Sequence, residues 1–339
     1  MFAKFVLPLW VVLWSVSSAW AGLNIQHWQT AQGARVLLVE NHDLPMLDIS
    51  VDFSAGSARD SREKSGLANL TRHLMSLGAG AFSERDIAEK LADVGAVMSG
   101  RFDADRAGFS LRSLSGKVER DQSVSLLAAV LAQPRFDAAV LEREKARVVA
   151  GLEEEATKPE SIGEKAFQSA LYGEHPYGLP EGGEVASVQR LTQADLAGFH
   201  RQYFRASNMT VAMMGDLSRA DAVAIADRLS ADLPKGEAAL PIPPVQVNPQ
   251  GQEKIIPHHA TQSHLFSGLP AYQREDPDYF PLYVGNYVLG GGGFDSRLTD
   301  AVRQKKGLAY SVYSYFVPMR ELGPFQIGLQ TRRDATDEA

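Results

Sequence analysis

The 339-residue sequence contains no cysteine. Disulfides, thiolate metal sites and cysteine nucleophiles are therefore excluded, and stability has to come from packing. Nor is there a block of Lys and Arg: 34 basic residues against 41 acidic ones leave a net charge of −7. That balance offers no electrostatic footprint for nucleic acid or anionic lipid. Beyond residue 21 no apolar run is long enough to read as a membrane span. Histidine is sparse, at eight residues. Its one cluster, His258, His259 and His264, lacks a carboxylate in register, and positions 259 and 264 would face opposite sides of a strand, which disfavours a metal site there.

What is present begins with Lys4, an apolar run over 5–16 and small residues ending Ala19-Trp20-Ala21, the pattern of an export signal cleaved after Ala21. A run of about a dozen apolar residues is short against the roughly 20 that span a bilayer, so 1–21 reads as a signal peptide and not as an anchor.

Alternating apolar residues predict strands over 34–40 and 47–53, joined by a turn at His42-Asp43-Leu44-Pro45 as a hairpin. Leu67, Leu70 and Leu74 predict a helix over 65–75, and Ser83 opens another through Ile87 and Leu91 to Gly95. Strands over 96–102 and 107–114 follow, then helices around 124–131, 138–156, 159–172 and 192–204, a strand over 209–214 and a helix over 220–229. Too few strand-helix-strand alternations occur for a doubly wound sheet, and the order predicts an α+β domain with an antiparallel-rich sheet and helices on one side. Residues 22–232 form this first domain. The proline-rich stretch 233–254, with Pro234, Pro241, Pro243, Pro244 and Pro249, reads as a semi-extended interdomain linker. From 255 to 339 the order partly restarts, with strands near 264–268, 309–316 and 325–330 and helices over 279–289 and 296–305. This weak echo of the first half suggests an internal duplication, and the second domain reads as incomplete at 339. Gly290 to Gly293 is not followed by Lys-Ser/Thr, so a loop joining two helices is the reading there, not a phosphate loop.

Gly66-Leu67-Ala68-Asn69-Leu70-Thr71-Arg72-His73-Leu74-Met75 resembles the helix that carries H-x-x-E-H in M16 (pitrilysin, insulinase and mitochondrial-processing-peptidase-like) metallopeptidases. That motif needs two imidazoles four residues apart to bind zinc, and a carboxylate before the second to take a proton from the bound water. Here the first ligand position holds Asn69 and the base position Arg72, and only His73 survives. The family's third ligand is a Glu seven residues after another Glu and eight before a proline. Glu144 and Pro159 fit those flanking positions, and both place Gly151 at the ligand. Glu153, Glu154 and Glu155 are out of phase with it and read as a solvated acidic face. A guanidinium about 5 Å from a divalent ion would be repelled by at most roughly 6–7 kcal/mol at an effective dielectric of 20. His73 therefore reads as a helix histidine with a hydrogen-bond partner, and no metal is expected in this chain.

The resemblance resumes at Leu289-Gly290-Gly291-Gly292-Gly293-Phe294-Asp295-Ser296-Arg297-Leu298 and at Val302-Arg303-Gln304-Lys305-Lys306-Gly307-Leu308-Ala309-Tyr310-Ser311-Val312, with His175-Pro176-Tyr177-Gly178 and 208–216 also fitting. It is similar to the family's C-terminal-domain signature, in which an Arg and a Tyr seven apart reach the zinc site of the opposing half. Arg303 and Tyr310 have that spacing, and a guanidinium and a phenol can hold a substrate carbonyl and stabilise an oxyanion. The resemblance implies a LuxS/MPP-like metallohydrolase fold, with two related α+β domains per chain and two chains closing into a clam-shell chamber. It further implies a non-catalytic, substrate-binding subunit in the periplasm of a Gram-negative bacterium. Its partner would be an H-x-x-E-H subunit that holds the zinc, and its substrate a peptide. A non-enzymatic peptide-binding scaffold of the same fold is the alternative.

Overall fold

The computed structural model describes residues 23–339. The export-signal reading of 1–21 falls outside the described residues. Strands β1 (Gln26–Gln29), β2 (Arg35–Glu40) and β3 (Met46–Phe53) open the chain. In β2 and β3, Val36, Leu38, Leu47, Ile49, Val51 and Phe53 are buried while their neighbours are not, the period of two that a half-buried sheet requires.

Helix α1 (Leu67–Met75) buries Leu67, Leu70, Leu74 and Met75 on one face, each worth about 1.5–3 kcal/mol. Its first residue has no side-chain cap of its own, because Gly66 stands there at φ 92°. The cap comes from a distance: Asp60, buried, accepts from the Gly66 N–H at 2.8 Å and the Ala68 N–H at 2.9 Å. Two short strands, β4 (Gly78–Ala79) and β5 (Phe82–Ser83), lead into α2 (Glu84–Asp93), which a Ser83–Asp86 capping box starts. There follow β6 (Val97–Phe102), β7 (Ala107–Leu114), α3 (Lys117–Ala132), α4 (Ala138–Glu155), α5 (Pro159–Tyr172), α6 (Val185–Arg190), α7 (Gln193–Tyr203), β8 (Met209–Gly215) and α8 (Arg219–Ala231).

Apart from β4 and β5, which pair with each other, these strands form one six-stranded sheet in the order β1-β2-β8-β3-β7-β6. The expected hairpin of β2 and β3 does not exist, because β8 lies between them, parallel to β2 and antiparallel to β3. The reason is packing: in that register Val211 aligns with both Val36 and Val51, and Met213 with both Leu38 and Ile49, so one apolar row runs across three strands. Helices α1, α3, α7 and α8 contribute Leu74, Leu127, Leu196 and Ala226 to the single core over that face. The opposite face, with Leu37, Ser50, Ser99, Arg101 and Arg112, floors an open depression of about 650 Å³.

Between Ala231 and Gln262 the described chain has neither helix nor strand. It is nevertheless held down: Ile242 and Val245 are buried with Tyr172 and Tyr177 in a second, smaller core. The His175 imidazole pins it as well, donating from Nε2 to the Pro243 carbonyl at 2.8 Å while Nδ1 accepts the Tyr177 N–H.

A three-stranded sheet, β10-β11-β9, follows. It comprises β9 (Gln262–Tyr272), β10 (Ala309–Phe316) and β11 (Gly323–Arg332), with α9 (Tyr279–Asn286) after β9. Its order matches β6-β7-β3 in the first sheet. Of the histidine cluster only His264 lies in a strand, so opposed faces of one strand do not describe that trio. The glycine run is not simply a loop either, since α9 continues as a π-helical segment, Tyr287–Gly291, through its first two glycines. Gly290 is needed there, because a Cβ would stand 2.4 Å from Ser314 Oγ and 2.6 Å from the Ser314 backbone nitrogen on β10. Helix α5 lies on the three-stranded sheet, with Phe167 and Phe266 ring centroids 6.3 Å apart. Among the described residues no helix is long and apolar enough to cross a membrane.

Candidate functional site

Asn69, Arg72 and His73 all project from α1, three and four residues apart, and so share one side of the helix. His73 Nε2–H donates to Glu144 Oε2 on α4 at 2.9 Å. Glu144 is buried and also accepts from Arg143 Nε at 2.8 Å, with Arg147 Nε at 3.3 Å. Burial works to raise the Glu144 pKa, but the hydrogen bonds from His73 and Arg143 outweigh it and hold the carboxyl below its ordinary value. Gly151 lies two turns further along the same face of α4, about 10.5 Å away. It is exposed, and no heavy atom lies within 4 Å of the place a Cβ would occupy.

Arg72 leaves this cluster. Its guanidinium lies over Gly100 in β6, where a Cβ would stand 1.8 Å from Nη1. Among the described residues its one hydrogen bond runs from Nη2 to Asn69 Oδ1 at 3.5 Å, and Nε is buried without a partner. An unpaired buried donor costs about 1–3 kcal/mol. Burial alone depresses the Arg72 pKa, with no carboxylate acting against it.

These residues do not fit a zinc ion. The one imidazole is committed through Nε2 to a carboxylate, that carboxylate is held by two guanidiniums, and no other histidine or acidic group joins them in a metal-binding cluster among the described residues.

The second set of candidate residues is brought together by two backbone irregularities. Arg303 stands in a π-helical segment, Thr299–Lys305. Tyr310 is the extra residue of a bulge at the start of β10, between Ala309, which pairs with Thr331, and Ser311, which pairs with Gln330. The bulge turns its ring outward, leaving it 79% exposed. The Arg303 guanidinium carbon is 4.8 Å from the Tyr310 ring centroid and 4.8 Å from that of Phe294. The cation is thus held between two aromatic faces, and among the described residues no hydrogen bond or ion pair engages its N–H groups. Phe294 was not among the residues the sequence singled out. Only its place after the glycine run, nine positions before Arg303, could have drawn attention to it. Among the described residues no hydrogen bond or ion pair connects this pair with the α1 cluster.

Two family profiles match successive stretches of the chain: insulinase (peptidase family M16) over 35–183 and the peptidase M16 inactive domain over 190–339. The crystal structure of a peptidase M16 inactive domain from Pseudomonas fluorescens is 40% identical, with a TM-score of 0.90 over 93% of this chain and 76% of that one. The chain belongs to the M16 peptidase family. Among curated relatives, an uncharacterized zinc protease of Rickettsia felis is 24% identical over 88% of this chain and 72% of its own length. The non-peptidase homolog YmxG of Helicobacter pylori is 25% identical over 82% and 64%. Relatives of this chain thus carry both descriptions, and its sorting falls to its own residues at 69, 72, 73 and 151.

Proposed function

We propose that this chain is the zinc-less, substrate-binding subunit of an exported, periplasmic M16 heterodimer, acting on peptides through a partner that carries an intact H-x-x-E-H helix. The observation that carries this reading is the asymmetry of the two residue sets. On α1 the metal positions hold groups engaged elsewhere or pointed away, whereas Arg303 and Tyr310 are adjacent, with the Tyr310 ring exposed and the half-buried Arg303 guanidinium stacked between it and Phe294. The Arg303 N–H groups would orient a substrate carbonyl, and the Tyr310 hydroxyl would donate to the oxyanion that forms on it. The activated water would come from the zinc that the partner's H-x-x-E-H helix would hold.

The test is a reconstituted complex with its H-x-x-E-H partner. Tyr310→Phe is expected to lower kcat about 10²–10³-fold, the usual loss for one oxyanion donor, and Arg303→Ala to lower kcat and raise KM as well. Assembly and zinc content should stay unchanged. Wild-type cleavage with both residues replaced, in a complex that assembles, would give the lead to a non-enzymatic peptide-binding scaffold.

A further inference from the structure

Strand β6 is one of the two outer strands of the six-stranded sheet, and Val97, Ser99, Gly100 and Arg101 are exposed along it. An edge of this kind offers backbone N–H and C=O groups to an extended segment. On the helix-facing side of β6, residues 98, 100 and 102 share one face. Met98 and Phe102 pack against the core, and Gly100 between them leaves a gap. The Arg72 guanidinium fills that gap. It arrives with an unpaired, buried Nε and no carboxylate within ion-pairing distance among the described residues. Its neighbours differ: Arg101 pairs with Asp52 at 3.2 Å on the far side of the sheet, and Arg147 and Arg143 pair with Glu144. A guanidinium offers a planar fork of donors matched to a carboxylate, and this one is half-desolvated and set beside an open strand edge.

We propose that Arg72, seated on Gly100, is a carboxylate-binding site for an extended peptide lying along β6. The position where the family's catalytic helix carries a base has thus become an anion-recognition point. The inference deepens the peptide-binding reading above, by naming an acidic peptide as the ligand class, and it does not depend on Arg303 or Tyr310. The carboxylate could be an acidic side chain or a peptide C-terminus, and the two are separable.

The test is fluorescence anisotropy on the full chain with labelled extended peptides, identical but for a central Glu or Gln and each with a free or an amidated C-terminus. Wild type is expected to favour a carboxylate-bearing probe about tenfold, the value of one charge-assisted hydrogen bond. Preference for Glu over Gln assigns the side chain, and preference for free over amidated ends assigns the C-terminus. Arg72→Ala should abolish the preference and Arg72→Lys should keep part of it. Gly100→Ala should also lose it, because the new methyl group displaces the guanidinium without removing its charge. Equal affinity for all four probes, absence of binding by any of them, or a preference that survives both Arg72→Ala and Gly100→Ala would overturn the proposal. Cleavage by the reconstituted complex is read separately: a preference lost with Arg72 alongside cleavage indifferent to Arg303 and Tyr310 sinks the trans-acting reading and leaves this one standing.

Discussion

His73 shows how a former ligand type becomes a structural residue. With Nε2–H given to Glu144, the imidazole links α1 to α4, and Glu144 in turn gathers Arg143 and Arg147. Removing the imidazole would leave a buried carboxylate short of one partner, whereas adding zinc would have to break that contact first. Dialysis against trace zinc should therefore leave this chain without a stoichiometric ion, measured by elemental analysis. One tightly held zinc per chain that disappears in His73→Ala would contradict this account. Restoring Asn69→His, Arg72→Glu and Gly151→Glu together should create measurable zinc affinity, since the space at Gly151 is open, while the single changes should not.

Helix α1 depends on a carboxyl borrowed from outside it. Burial pushes Asp60 up to about 7, against the pull of the Ala68 and Gly66 N–H groups. The sign follows from linkage: an acid whose folded pKa is raised binds more protons folded than unfolded between its ordinary value near 4 and about 7. Its contribution is thus greatest in acid and declines as pH rises across that window. Urea unfolding midpoints should show wild type losing more stability than Asp60→Asn between pH 4 and pH 7. At neutral pH, Asp60→Ala should cost about 1–2 kcal/mol, as lost helix caps do. Identical pH slopes for wild type and Asp60→Asn would show that folding does not raise the Asp60 carboxyl above its ordinary range.

At the scale of the whole molecule, the first sheet and the β10–β11 hairpin meet through a small polar joint. Tyr177 donates its hydroxyl to Asp105 at 2.5 Å and accepts the Glu321 N–H at 3.2 Å, and the second Asp105 oxygen accepts the Arg320 N–H at 2.9 Å. Burial and the negative Asp105 both push the Tyr177 phenol well above its ordinary pKa, so it remains a donor at any working pH. The Tyr172 hydroxyl adds a bond to the Leu322 carbonyl at 3.2 Å. Tyr177→Phe keeps the ring but leaves an Asp105 oxygen and a backbone N–H unpaired, a loss of about 1–3 kcal/mol. Limited proteolysis between Ala231 and Gln262 should accelerate, because Ile242 and Val245 are buried in the same small core that the Tyr177 hydroxyl helps to fix. Unchanged cleavage in that segment would show that the joint does not hold it.

Periodicity alone located the core faces of β2, β3, α1 and α2, because each of those elements buries one side and local alternation records which. The spacing of Asn69, Arg72 and His73 along α1, and of Glu144 and Gly151 along α4, followed from helical geometry as well. Nothing local, however, could place β8 between β2 and β3, since strand order depends on which apolar rows match across distant segments. The same holds for the Arg72 guanidinium over Gly100, where a side chain fills a gap left by a residue 28 positions away. Phe294 beside Arg303 and the outward turn of Tyr310 are equally tertiary, products of a π-helical segment and a bulge that no short-range pattern specifies. Residue identity and period thus determined what each element offers. Long-range packing decided which groups meet, because contacts between segments far apart in the chain are settled by the shape and polarity of both partners together.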